Sequence, residues 1–302
     1  MFQSEADIEC LRLLADKVTA VSFVCHEYPK DIPKSFFDEC KSFGWNIYHL
    51  VGRCHGNYET SEEMEKTLSS LMKNCLEKGL DGLDFDLEFE PAHTKDAYSA
   101  YLRRAAEELH SVGKRLSVCV GYHPAAHAKP ADHGFIDPDV IGQVCDEVRV
   151  MCYDQYFAPA KGKEPLDRLD CQGIGPTSSQ PWAAAAMAHW SQYVPKEKLV
   201  MGLPTHSNDY DARHGGGGRA IYTSVPPANI FSDKSWLWYE KINLYRYKDE
   251  DGGARIFYAS DADSTRAHLD TADDIGVNKI SFWQGRAVDP EMWKVAKAWL
   301  VR

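Results

Sequence analysis

The chain has 302 residues, of which 44% are hydrophobic, 12% aromatic and 26% charged, which is ample material for a large buried core and excludes a globally disordered chain. Its 34 lysines and arginines stand against 45 aspartates and glutamates, a net charge of −11. That balance repels phosphate backbones and anionic lipid and leaves no counterion-release contribution to nucleic-acid binding, so the expected partners are neutral or cationic, with neither nucleic acid nor membrane among them.

In chain order, the residues before 18 read as a helix, with Ile8, Leu11, Leu13 and Leu14 at helical spacing. β-rich runs follow at 18–25 and 46–51, then a helical pattern at 61–78, a run at 82–88, a helix at 96–112, and runs at 115–120 and 147–153. A helix at 182–193 leads to a sixth run at 198–204. Beyond it the rhythm breaks: a glycine tract at 215–218 precedes two alternating stretches, 242–247 and 255–258, which flank Asp251-Gly252-Gly253 and signal a hairpin. A helix at 264–275, a seventh run at 279–283 and a helix at 290–300, begun by Asp289-Pro290, complete the chain.

Strands alternating with helices argue for an α/β fold with a parallel sheet, here a TIM (β/α)8-type barrel. One domain is expected over 1–302, with an α+β insertion at 208–260 between the last two strands. Only seven runs are visible where a closed barrel needs eight. Either residues 1–4 are a remnant of the first strand, or the chain begins late, or the barrel closes imperfectly at that seam.

No apolar run approaches the ~20 residues that span a bilayer. Residues 1–10 carry two glutamates and an aspartate where a signal segment would be basic and then apolar. The expected compartment is the cytoplasm, or the exterior for a trimmed mature form. Nine cysteines, odd in number, scattered and without a CxxC pair, read as reduced apolar fillers. No Cys/His cluster has ligand spacing, so neither a metal nor another cofactor is expected.

The richest segment is Asp81-Gly82-Leu83-Asp84-Phe85-Asp86-Leu87-Glu88. Strand period two puts Leu83, Phe85 and Leu87 toward the helices and Asp84, Asp86 and Glu88 on the opposite, interior face, rising toward the strand's C-terminal end, where barrel active sites lie. Three carboxylates in a confined interior are costly unless some hold protons. The reading is a coupled titration in which Asp84 and Asp86 share a proton and Glu88 is a protonated general acid. A calcium or magnesium site would need further acid-rich loops, and a solvated edge strand would not need the bulky apolar face. Asp81 with Gly82 reads as a turn that caps the strand's entry.

This segment resembles the DGxDxDxE signature of glycoside hydrolase family 18, the chitinase and endo-N-acetylglucosaminidase family. The likeness continues in Met151-Cys152-Tyr153-Asp154, similar to the family's MxYD, in the run 199–204, similar to its GxP strand, and in Ser281-Phe282-Trp283, similar to its last-strand tryptophan. The resemblance implies that Glu88 protonates the glycosidic oxygen. Asp86 would orient the substrate's own 2-acetamido group for attack on the anomeric carbon, and Asp84 would hold or relay the proton that lets Asp86 turn. Tyr153 would donate to the acetamide oxygen, Asp154 would contact the same sugar or tune Glu88, and Trp283 would form the apolar floor. Tyr122, Gln155 and Tyr156 are further substrate-binding candidates. Trp236 and Trp238 fit either a side wall for more sugars or local core. The stretch 49–53 departs from the family pattern, with one glycine and Arg53 where a small serine and paired glycines are usual.

The runs at 198–204, 245–247 and 282–283 are most similar to the branch of spore-cortex and peptidoglycan glucosaminidases. The activity this implies is retaining, substrate-assisted hydrolysis of β-1,4 bonds that follow N-acetylglucosamine, in chitin oligosaccharides or peptidoglycan. Alternatives are an endo-N-acetylglucosaminidase acting on N-glycans and a non-catalytic lectin on the same barrel. Lectins of this kind usually lose the glutamate present here as Glu88. A metal-dependent hydrolase would need histidines at strand ends, where only His26, His49, His123 and His206 are candidates.

Overall fold

A computed structural model describes residues 12, 17–24, 34–121, 134–156, 174–212, 219–227, 231–285 and 289–301. Most of the helix expected before residue 18, together with the glycine tract, lies outside them. The chain divides into two compact units, one of Met1–Arg149 with Trp190–Leu199 and one of Val150–His189 with Val200–Arg302.

In the first unit the elements are β1 (Ala20–Val24), α1 (Lys34–Ser42), β2 (Asn46–Val51), α2 (Ser61–Glu77), β3 (Gly82–Phe85), α3 (Lys95–Ser111), β4 (Arg115–Val120) and α4 (Pro138–Val144), followed by the start of β5 (Glu147–Met151). Their strand order is β1-β2-β3-β4-β5, and the register from β1 to β4 is parallel throughout. Aspartates ahead of two strands lock them to a neighbour. Asp81 accepts the backbone N–H of Ile47 at 2.8 Å, and Asp146 accepts that of Leu116 at 2.8 Å. Gly82 starts β3 because a Cβ there would lie 2.1 Å from the Arg115 carbonyl oxygen and 2.8 Å from the Tyr48 ring.

Behind this sheet the apolar residues of the acidic strand meet an aromatic cluster. Leu83 and Phe85 are fully buried. The Phe85 ring stands edge-on to Tyr101 of α3 at 5.0 Å, Tyr101 stacks on Tyr58 at 5.3 Å, and Tyr98 meets Phe135 at 5.2 Å. α2 is opened by a capping box in which Thr60 and Glu63 satisfy each other's backbone N–H groups.

The second unit continues from the end of β5 with α5 (Gln180–Trp190) and β6 (Leu199–Pro204). It then has β7 (Ser207–Asp211), β8 (Arg219–Ile221), β9 (Phe231–Leu237), β10 (Ile242–Lys248), β11 (Ala254–Ala259), α6 (Ala262–Ile275), β12 (Ile280–Trp283) and α7 (Pro290–Leu300). Its parallel strands run in the order β5-β6-β12, and β12 pairs with β6. All seven expected runs are therefore strands of the parallel sheet. Between β6 and β12 in sequence lies an antiparallel sheet of order β8-β7-β11-β10-β9. The expected hairpin is β10–β11: Lys248 pairs with Ala254, the Asp249 carboxylate accepts from Gly253 N–H, and Gly252 takes φ +77°. Tyr245, Tyr247 and Phe257 form its buried face.

Five of the expected strands are shorter than read, three of them mainly because the runs at 18, 198 and 279 begin pairing one or two residues later. The acidic run stops pairing as a strand at Phe85, and the run at 147–153 stops at Met151. α1 and α4 had no counterpart in the sequence reading. Among the described residues the cysteines are free; Cys40, Cys75, Cys145 and Cys152 are buried, whereas Cys54 is exposed. No described helix is long and apolar enough to cross a membrane.

Candidate active site

Asp84, Asp86 and Glu88 follow one another up the end of β3. Asp84 lies within the strand, opposite Leu50 of β2 and Ser117 of β4. Asp86 lies one residue beyond it, still tied to the sheet because its N–H donates to the Val51 carbonyl at 2.9 Å. Glu88 is exposed. Leu87, buried, keeps to the apolar side with Leu83 and Phe85, so the alternation persists for three residues after strand pairing ends. The chain then turns at Phe89, which has φ +58°. Glu90 is driven inward, where its fully buried carboxylate accepts from Arg53 at 2.9 Å and from the Tyr58 hydroxyl at 3.2 Å. The arginine that departs from the family pattern thus braces the turn that carries Glu88.

The three acids differ sharply in their surroundings. Asp84, with no solvent exposure, accepts from Arg149 Nη1 at 2.7 Å, and the Cys119 thiol lies 3.7 Å from its other oxygen. Arg149 reaches Glu147 at 3.4 Å, and Glu147 reaches Arg115 at 3.4 Å, so the charges alternate in sign along the interior face. Among the described residues no such cation pairs with Asp86. Its Oδ1 is buried without a hydrogen-bond partner among the described residues. Burial first, and then the negative charges of Glu88 and Asp84, push its carboxyl up to about 7.

That raised value makes a stability prediction. The unfolded chain ionises Asp86 near the ordinary aspartate value, so between there and about 7 the folded protein holds more protons and loses stability as pH rises. Asp86→Asn is expected to be more stable than the parent at pH 8, by roughly 1–3 kcal/mol after allowance for residual solvent contact. The gain disappears near pH 4. Urea melts at the two pH values check this, and an equal gain at both would refute it.

In the second unit, Tyr153 follows β5 and its ring rests against Gly202 of β6, where a Cβ would come within 3.1 Å of Tyr153 Cε1. Asp154 adopts φ +61°, a conformation rare for a residue with a side chain and common at functional positions. Its carboxylate meets Nε2 of buried His206 at 2.7 Å, and the His206 ring stands edge-on to Tyr153 at 6.3 Å. Gln155 turns away to accept the Ser179 backbone N–H at 2.8 Å. The Tyr156 ring covers Gly175, and its carbonyl accepts from Asn208 at 2.7 Å. Trp283 ends β12, where its carbonyl accepts from both the N–H and the hydroxyl of Thr205 at 2.8 Å. Its neighbour Phe282 packs on Trp293 of α7, so strand alternation turns the Trp283 ring to the opposite face. Tyr122 lies outside the described residues. Trp238 is 76% exposed at the β9–β10 turn and meets Trp236 edge-on.

Sequence reasoning missed Arg149 and Glu147, although Glu147-Val148-Arg149-Val150 alternates charge with valine in the way the acidic strand does with its own apolar residues. His206 as the partner of Asp154 had no sequence signal, because the two are brought together only by β5 and β6. Among the described residues no group of three His, Cys, Asp or Glu is arranged to hold a metal ion.

A model of the glycosyl hydrolases family 18 matches residues 52–284. The cortical fragment-lytic enzyme of Bacillus subtilis (strain 168) is 22% identical over 251 residues, which are 80% of this chain and 54% of that protein. The chain spans about half the length of the curated relatives it matches. Among solved structures, a chitinase from Chromobacterium violaceum ATCC 12472 has a TM-score of 0.84 at 17% identity, over 99% of this chain and 96% of that one. The spore cortex-lytic enzyme SleL of Bacillus megaterium QM B1551 has a TM-score of 0.77 at 17% identity, over 97% and 70%. These structural likenesses show the fold, the barrel type expected from the strand–helix alternation, and the cortex-lytic relatives match the branch read from the sequence. With a complete acidic signature inside a family match over most of its length, this chain belongs to the glycosyl hydrolases family 18.

Proposed function

We propose that the protein is a retaining glycoside hydrolase that cleaves β-1,4 bonds following N-acetylglucosamine, with the substrate's acetamido group as the nucleophile. The observation that carries this reading is Asp86, a half-buried residue with one carboxylate oxygen shut off from solvent, its carboxyl raised to about 7 and placed between Asp84 and Glu88. Such a carboxyl can hold a proton in one step and a negative charge in the next near neutral pH.

In this scheme Glu88, exposed at the end of the ladder, gives its proton to the glycosidic oxygen. Asp86 hydrogen-bonds the acetamide N–H and stabilises the positive charge that grows as the acetamide oxygen attacks the anomeric carbon. The family resemblance assigns Tyr153 as a donor to that oxygen, Asp154 as a contact to the same sugar, Trp283 as its apolar floor, and Gln155, Tyr156 and Tyr122 as outer contacts. The side chains of Gln155 and Tyr156 already have partners in the protein, so their part is better read as holding the loop that carries Tyr153 and Asp154. Peptidoglycan and chitin oligosaccharides are the substrate classes favoured by the relatives named above.

The test is release of a fluorophore from N-acetylglucosaminyl and chitobiosyl conjugates, with a thiazoline mimic of the cyclised acetamide as inhibitor. Turnover with tight thiazoline inhibition is expected, because the mimic resembles the bound intermediate. Turnover inhibited only by a plain imino sugar would overturn substrate assistance, and binding without turnover would favour the lectin alternative. Mass analysis of products from purified peptidoglycan and from chitopentaose separates the two polymers.

A further inference from the structure

We propose that Arg149 is a positioning residue for the acidic ladder: it claims Asp84 as its ion-pair partner, so that the proton serving the acetamido chemistry is carried by Asp86 alone and is not shared between the two aspartates. The functional part of this inference rests on the glycosidase reading; the geometric part does not.

Both oxygens of Asp84 are used as acceptors. One takes the Arg149 Nη1 proton at 2.7 Å and the other faces the Cys119 thiol. A guanidinium has donors only and does not give up its proton, so Asp84 needs no proton of its own to satisfy this site. Arg149 is itself held in place. Its second nitrogen reaches Glu147, and its guanidinium lies over the Tyr48 ring at 5.3 Å. Asp86 is the opposite case, with a buried oxygen that no described donor reaches. Among the described residues, the ionisable groups around Asp86 are Glu88 from its own segment, Asp84 from β3, Cys119 from β4 and Tyr98 from α3, and none of these is a cation. Around Asp84 stand Arg149 from β5, Cys119 from β4 and Tyr48 from β2. This proposal differs from the expectation that Asp84 and Asp86 share one proton: held as an acceptor by Arg149, Asp84 repels negative charge on Asp86 from below.

The experiment follows the carbon-13 carboxyl resonance of Asp86 in the whole chain, assigned through D86N, from pH 4 to 9. The parent is expected to show a single step near 7. R149K should keep that step, whereas R149M should lower it by about one pH unit, because Asp84 then takes up the proton and stops repelling charge on Asp86. The double variant R149M/D84N leaves no unpaired buried charge, so it stays informative if R149M alone does not fold, and it should show the same fall. A step that stays put in either R149M or the double variant overturns the proposal. In turnover, R149M should lose about 10-fold in kcat with KM within about 2-fold, and R149K should recover most of the loss. The carboxyl titration requires no turnover, so an inactive parent would count against the proposed function while the Asp86 step still decides the role of Arg149.

Discussion

Glu88→Gln is expected to lower kcat by about 10²-fold or more, the usual scale for a positioned general acid, while KM and the melting temperature stay close to those of the parent. The amide keeps the size of the side chain and removes the proton that the departing sugar oxygen needs. Glu88 is exposed at the end of the ladder, so the substitution opens no cavity in the core. Parent and variant are compared on a chitobiosyl fluorophore conjugate across pH. Equal rates would remove Glu88 from the chemistry, and a lower melting temperature would mean that the carboxylate also holds the turn at Phe89.

Phe85→Ala carries the largest expected effect on stability. Phe85 is fully buried between Leu83 and Leu87 on the helix-facing side of β3, with its ring edge-on to Tyr101. Removing a buried phenylalanine ring costs about 3–5 kcal/mol, part in lost transfer energy and part in the cavity left behind. Tyr101 and Tyr58 are stacked on each other and cannot both move into the space. The check is urea denaturation of parent and variant under identical conditions. A loss below about 1 kcal/mol would mean that the aromatic cluster collapses around the deletion. Because Asp84 and Asp86 flank Phe85, the variant should also lose activity at temperatures where it remains folded.

The helices and strands that could be read from the sequence are those whose apolar spacing is long and regular. The acidic strand is legible because strict alternation of carboxylates with Leu, Phe and Leu has one burial solution, and the structure realises it. α7 is legible because Asp289 and Pro290 form a helix start, and Asp289 does accept the Glu291 N–H. α4 has the same kind of start, with Asp137 accepting from Asp139 and Val140 ahead of Pro138, but at seven residues it is too short for periodicity to register. β7 and β8 escaped for a related reason. In β7 the polar residues are buried by partners from other strands, as when Asp209 takes Arg255 and the Tyr247 hydroxyl, and β8 is only three residues long, so no alternation of apolar and polar marks them.

Where the acidic strand ends was also out of reach of the pattern. Side-chain alternation runs on to Glu88, whereas strand pairing stops at Phe85, because the register of a sheet depends on the neighbouring strand and not on the strand's own residues.

The amino-acid sequence by itself determined the fold class, the family and the three acids, since each is written in local spacing: period two within a strand, three- and four-residue spacing within a helix, and a signature eight residues long. Only the tertiary structure decided what each acid experiences. Asp84 is matched to an arginine 65 residues later in the chain, Asp86 has none among the described residues, and the turn beneath Glu88 is braced by Arg53 through Glu90. The energy of a buried charge depends on which groups surround it and how much water they exclude, and those neighbours come from strands that meet only when the sheet has formed.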